Sequence, residues 1–124
     1  TDITIIAWSL SVSLAEEAAD ILEKQGISAH VIDLRTLVPL DIEGLVEAAE
    51  KTGRVMIIQE APESASFGAE VVALIQEMAF FSLEAPIARV SAPDVPYPLH
   101  ALENLYIPNI NQVLATAEKV LYKS

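Results

Sequence analysis

A three-layer α/β/α fold with a mainly parallel sheet is predicted by two observations. Short β-branched runs alternate with segments of helical period along all 124 residues. The first run, Ile3 to Trp8, is continuously apolar, as a strand covered on both faces must be. Strand and helix alternate throughout, so the sheet is parallel, and right-handed crossovers place helices on both faces. The expected strand order is 2-1-3-4, with the first strand central.

The elements follow in order. Ser13 and Glu16 form a capping-box pattern ahead of a helix with Leu14, Ala18, Ile21 and Leu22 on its inner side, and Gly26 supplies a left-handed stop. Ala29 to Leu34 is the second strand. After Pro39, Asp41 is placed to cap a helix running to about Thr52, with Ile42, Leu45, Val46 and Ala49 inward and Gly53 at its end. Val55 to Ile58 is the third strand. A helix from Ser66 to Phe80 turns Val71, Val72, Ile75 and Met78 inward, and Ile87 to Val90 is a short fourth strand. From Asn109 the last helix carries Ile110, Val113, Leu114, Ala117, Val120 and Leu121 at helical spacing. The whole chain is expected to be a single domain, residues 1–124. It enters its first apolar run directly after Thr1 and Asp2 with no initiator methionine, and so reads as a fragment of a longer polypeptide.

Composition excludes several functions. Hydrophobic content of 52% is incompatible with a disordered chain. Eighteen acidic against seven basic residues leave no material for a phosphate-binding basic face, so nucleic acid is not an expected partner. No apolar run reaches the roughly 20 residues of a membrane helix. The absence of cysteine removes disulfides, thiolate metal sites and thiol nucleophiles.

The search for chemistry is mostly negative. Residues 3–14 contain no glycine, where a dinucleotide fold would carry its phosphate-binding turn. No Walker loop or nucleophile elbow is present. His30, within a strand, reads as a structural or surface residue, and His100 lies in a proline-rich segment. Two histidines seventy positions apart give no metal-ligand spacing. No catalytic, cofactor-binding or metal residue is therefore assigned. Asp33 and Arg35 share a face at the end of the second strand, as a structural ion pair or as an anion contact at the carboxyl edge. The segment Ala92 to Pro108, with Pro93, Pro96, Pro98 and Pro108, admits neither helix nor central strand. It is either a rigid wrap over a sheet edge or a contact surface. Between Val55 and Glu118 the only Lys or Arg is Arg89, a charge bias that either solvates the surface or steers a basic partner.

Several motifs then carry a resemblance. Val31 to Asp41 (VIDLRTLVPLD) is similar to a signature of transketolase-like C-terminal domains. Leu83-Glu84-Ala85-Pro86, Arg89-Val90, Ala92 to Pro98 (APDVPYP), Leu102-Glu103 and Ile107-Pro108 follow the order seen in the β subunit of thiamine-dependent 2-oxo-acid dehydrogenases. Phe67 to Glu70 matches a helix start of the same subunits, with Ser66 in place of a glycine. The segment from Ala61 to Ser66 departs from the family pattern, so no role is carried over to it.

The resemblance implies an assembly and docking domain of a parent enzyme that decarboxylates pyruvate or a related 2-oxo acid. Thiamine diphosphate and magnesium belong to that parent and are not expected to be bound by this domain alone, because the activating glutamate sits in a separate pyrimidine-binding domain. The implied partners are an α subunit, a second β subunit in an α2β2 assembly, and the basic subunit-binding domain of a dihydrolipoyl acyltransferase. Glu84 is the implied partner contact, with Asp94, His100 and Glu103 as further candidates. The implied compartment is the cytoplasm in a bacterium, or the mitochondrial matrix or plastid in a eukaryote. A transketolase or deoxyxylulose-phosphate synthase branch is disfavoured by the Ala-Pro-Asp-x-Pro-x-Pro segment. The rival reading is a free-standing small-ligand module with Trp8, Arg35 and Glu60 around a cleft at the carboxyl edge.

Overall fold

Backbone satisfaction decides where the most apolar strands go, since a fully buried strand must be hydrogen-bonded on both sides. A computed structural model of the chain describes residues 1–8, 11–34, 42–62, 67–92 and 109–122. All five residues of β1 (Ile3–Ala7) are buried, and β1 pairs in parallel with β2 (Ala29–Asp33) and with β3 (Val55–Pro62). Strand β4 (Ala88–Ala92) adds in parallel to β3, which gives the order β2-β1-β3-β4. The helices are α1 (Ser11–Lys24), α2 (Ile42–Thr52), α3 (Phe67–Ala79) and α4 (Ile110–Tyr122). A 3-10 turn, Phe80–Ser82, follows α3.

The two-residue period of the strands sorts their side chains into two cores. Ile3, Ile5, Ala7, Met56 and Ile58 meet Ala15, Ala18 and Leu22 of α1 and Val113, Ala117 and Val120 of α4. On the opposite face Ile6, Val55 and Ile57 meet Leu45 and Ala49 of α2 and Val71, Ile75 and Ala79 of α3. The sheet is thus the middle of three layers, as expected. Among the described residues no helix is long and apolar enough to cross a membrane.

Both glycine stops are present, with Gly26 at φ 84° and Gly53 at φ 69°. The start of α4 is a reciprocal cap. The Gln112 amide donates to Asn109 Oδ1 at 2.9 Å, and the Asn109 amide donates to Gln112 Oε1 at 3.0 Å.

Four local expectations need correction. Helix α1 begins at Ser11, so Ser13 is an exposed residue within its first turn and not its cap. The buried Ser11, whose amide donates to the Trp8 carbonyl, draws the helix start back. Met78 is 56% exposed, because the stripe of α3 centres on Ile75 and Ala79 and leaves Met78 at its margin. Strand β2 ends at Asp33, one residue early. Strand β3 continues past Ile58 to Pro62 through an irregular register against β4, which accommodates a proline without a ladder donor.

Candidate docking site

The sequence-predicted contact Glu84 lies between the 3-10 turn and β4, beside the start of β3, at the amino edge of the sheet. Its position is built from three elements. The end of α2 reverses at Gly53, whose positive φ lets the chain enter β3 at once. The carbonyl of Gly53 accepts the Glu84 amide at 2.7 Å. Arg54, the next residue, places Nε 3.4 Å from Glu84 Oε2 and donates from its guanidinium to the carbonyl of Val120 in α4. The Glu84 side chain remains 63% exposed while that of Arg54 is 19% exposed. Arg54 therefore anchors the carboxylate on its inner side and leaves its outer side open to solvent and to a partner.

Beneath this seat is a small buried polar network. Thr4 of β1 has its Oγ1 2.9 Å from Thr52 Oγ1 of α2, and both hydroxyls lie within reach of the Ala48 carbonyl. The Thr52 hydroxyl also reaches the Arg54 carbonyl at 2.9 Å, and the Thr4 amide donates to that carbonyl at 2.8 Å. A satisfied network of this kind holds the β3 entry in one geometry. Next to Glu84 a cleft of about 460 Å³ is lined by Phe80, Phe81, Leu83 and Pro86 among others.

Asp94, His100, Glu103 and Arg35 lie outside the described residues, so the expected Asp33–Arg35 pair does too. His30 is exposed on β2, at the edge of the sheet. Trp8 is partly buried and packs against the core formed with α2 and α3. Sequence reasoning placed Gly53 as a helix stop but missed its bond to Glu84, and it missed Arg54 and the Thr4–Thr52 pair. Their partners lie roughly 30 to 66 positions away, and only the charge of Arg54 was a usable signal.

Among the described residues no group of three His, Cys, Asp or Glu side chains gathers as a candidate metal site. No step of a thiamine reaction is assigned to this chain.

A parallel sheet with β1 in its interior and helices on both faces defines a doubly wound α/β domain. The family model for the transketolase C-terminal domain matches residues 1–113, and the chain belongs to that family. It is 50% identical over 121 residues to the pyruvate dehydrogenase E1 component subunit beta of Bacillus subtilis (strain 168), covering 98% of this chain and 37% of that protein. The subunits of the same name from Leifsonia xyli subsp. xyli and Staphylococcus aureus (strain Mu50 / ATCC 700699) are 44% and 47% identical, over 98% and 97% of this chain and 36% and 37% of theirs. The chain thus spans little more than a third of the length of these relatives. Among solved structures, a split-gene transketolase described as an inactive beta4 tetramer superposes with a TM-score of 0.77 at 32% identity, over 97% of this chain and 39% of that one.

Proposed function

We propose that this chain is the C-terminal assembly and docking domain of the β subunit of a thiamine-dependent 2-oxo-acid dehydrogenase. In that role it joins an α subunit and a second β subunit and presents Glu84 to the basic subunit-binding domain of a dihydrolipoyl acyltransferase. The observation that carries the reading is the 50% identity to a pyruvate dehydrogenase β subunit across 98% of the chain. The exposed, anchored carboxylate of Glu84 supports the docking part. Decarboxylation of pyruvate or a related acid, with thiamine diphosphate and magnesium, belongs to the parent enzyme.

Titration with the acyltransferase subunit-binding domain at two salt concentrations tests this. Binding should weaken steeply with salt, and Glu84→Lys should weaken it at least tenfold, equal to about 1.4 kcal/mol. Affinity indifferent to both salt and Glu84→Lys would overturn the docking role. The small-ligand alternative gains nothing from Trp8, whose ring is committed to core packing. Its fluorescence should not respond to nucleotides or 2-oxo acids.

A further inference from the structure

Three of the four large hydrophobic side chains exposed among the described residues fall within four positions. Met78 is 56% exposed, Phe80 60% and Phe81 99%, where α3 gives way to the 3-10 turn. The inward stripe of α3 ends on the buried Ala79, so the two phenylalanines turn away from the core instead of filling it. Phe80 and Phe81 brace each other edge to face, with ring centroids 5.4 Å apart and planes at 80°. Together they wall the cleft that Leu83 and Pro86 complete and that Glu84 borders. Exposed aromatics beside a cleft mark an interaction surface and are enriched in interface cores.

We propose that this aromatic corner is the apolar anchor site of the docking surface, and that it takes a partner segment in which apolar side chains are flanked by Lys or Arg. The proposal rests on the docking reading of Glu84 and adds the part of the surface that gives affinity. Charge complementarity decides the occupant. Exposed Glu77 and Glu84 flank the corner, and Arg89 is the only Lys or Arg between Val55 and Glu118. Arg54, beside Glu84, is mostly buried and already paired. A second copy of this chain is the poorer match. A two-fold contact on this face would bring the same acidic rim against itself, in a chain of formal charge -11.

The experiment is fluorescence-anisotropy titration of the chain with a labelled peptide of two leucines flanked by lysines and arginines. A counterpart peptide of the same charge has serines for the leucines. The leucine peptide should bind more tightly than the serine peptide. Phe81→Ser should weaken it at least tenfold and leave its salt dependence unchanged, whereas Glu84→Lys should weaken it and flatten the salt dependence. Circular dichroism should be the same for both variants, since each side chain is exposed. Equal affinity of the leucine peptide for the parent chain and Phe81→Ser overturns the anchor. So does self-association of the chain that Phe81→Ser abolishes and the peptide cannot displace. A loss with Phe81→Ser alone supports the anchor and removes Glu84 from the contact; a loss with Glu84→Lys alone keeps the docking reading and removes the anchor.

Discussion

Glu84 rests directly on Gly53. Its amide donates to the Gly53 carbonyl at 2.7 Å, and a β-carbon built at position 53 would lie 3.0 Å from Glu84 Cγ and 3.0 Å from the Ser82 carbonyl oxygen. The absence of a side chain at 53 is thus a condition for the presence of one at 84.

This contact separates the two helix-stopping glycines. Gly26 and Gly53 both have positive φ, but a β-carbon at 26 would meet nothing within 4 Å. Gly26→Ala should therefore carry only the backbone strain, about 1 kcal/mol. Gly53→Ala carries the same strain and must also move a backbone carbonyl, so about 2–3 kcal/mol is expected. Urea denaturation of both variants measures the difference. Equal losses would show that the seat of Glu84 gives way freely.

The buried hydroxyl pair should be energetically coupled. Thr4→Val and Thr52→Val each remove a hydrogen bond worth about 0.5–1.5 kcal/mol from a closed network. Because each change removes the contact between the two hydroxyls, a double-mutant cycle should return a coupling of at least about 0.5 kcal/mol. A coupling near zero would mean that Ala48 and Arg54 satisfy the two hydroxyls independently.

The cap on α4 is expected to be worth what exposed caps usually are. Asn109→Ala leaves the Gln112 amide without its acceptor and should cost about 1 kcal/mol, whereas Asn109→Asp should cost much less. Thermal unfolding distinguishes them, since 1 kcal/mol corresponds to about 3–6 °C for a domain of this size.

Neutralising the ion pair should barely change stability. With the Glu84 side chain 63% exposed, Glu84→Gln should shift unfolding by less than about 1 kcal/mol. Arg54→Met should cost more, because it also removes the donor to the Val120 carbonyl and ends the tie between β3 and α4. Comparing the two variants in one denaturation series checks the order.

Periodicity made most of the fold legible. The six apolar positions of α4 are those that face the sheet, with Val113, Ala117 and Val120 deepest and Ile110, Leu114 and Leu121 packed around them. Glycine marked two helix ends because only backbone geometry was at issue there. The errors arose where tertiary contacts overrode a local pattern. Ser13 and Glu16 spell a cap, but burial of Ser11 starts the helix earlier. Met78 fits the helical period and still lies outside, at the margin of the stripe that Ile75 and Ala79 centre. Gln59 breaks the apolar run of the third strand, yet it is fully buried within it. At the candidate site, Glu84 was legible only through its motif. The groups that hold it, Gly53 and Arg54, lie between α2 and β3 and are brought beside it by the crossovers, not by any spacing along the chain.

The bond between Glu84 and the carbonyl of Gly53 also gives a mechanical load a second route into the sheet, beside the covalent one through Ala85 to Ile87 into β4. The carbonyl belongs to the residue that leads through Arg54 into β3, a strand laddered to β1 on one side and β4 on the other. Tension on Glu84 would be shared between β4 and the entry to β3, two strands laddered to each other in parallel. A tether fixed at this point would pull on both strands and not on either alone.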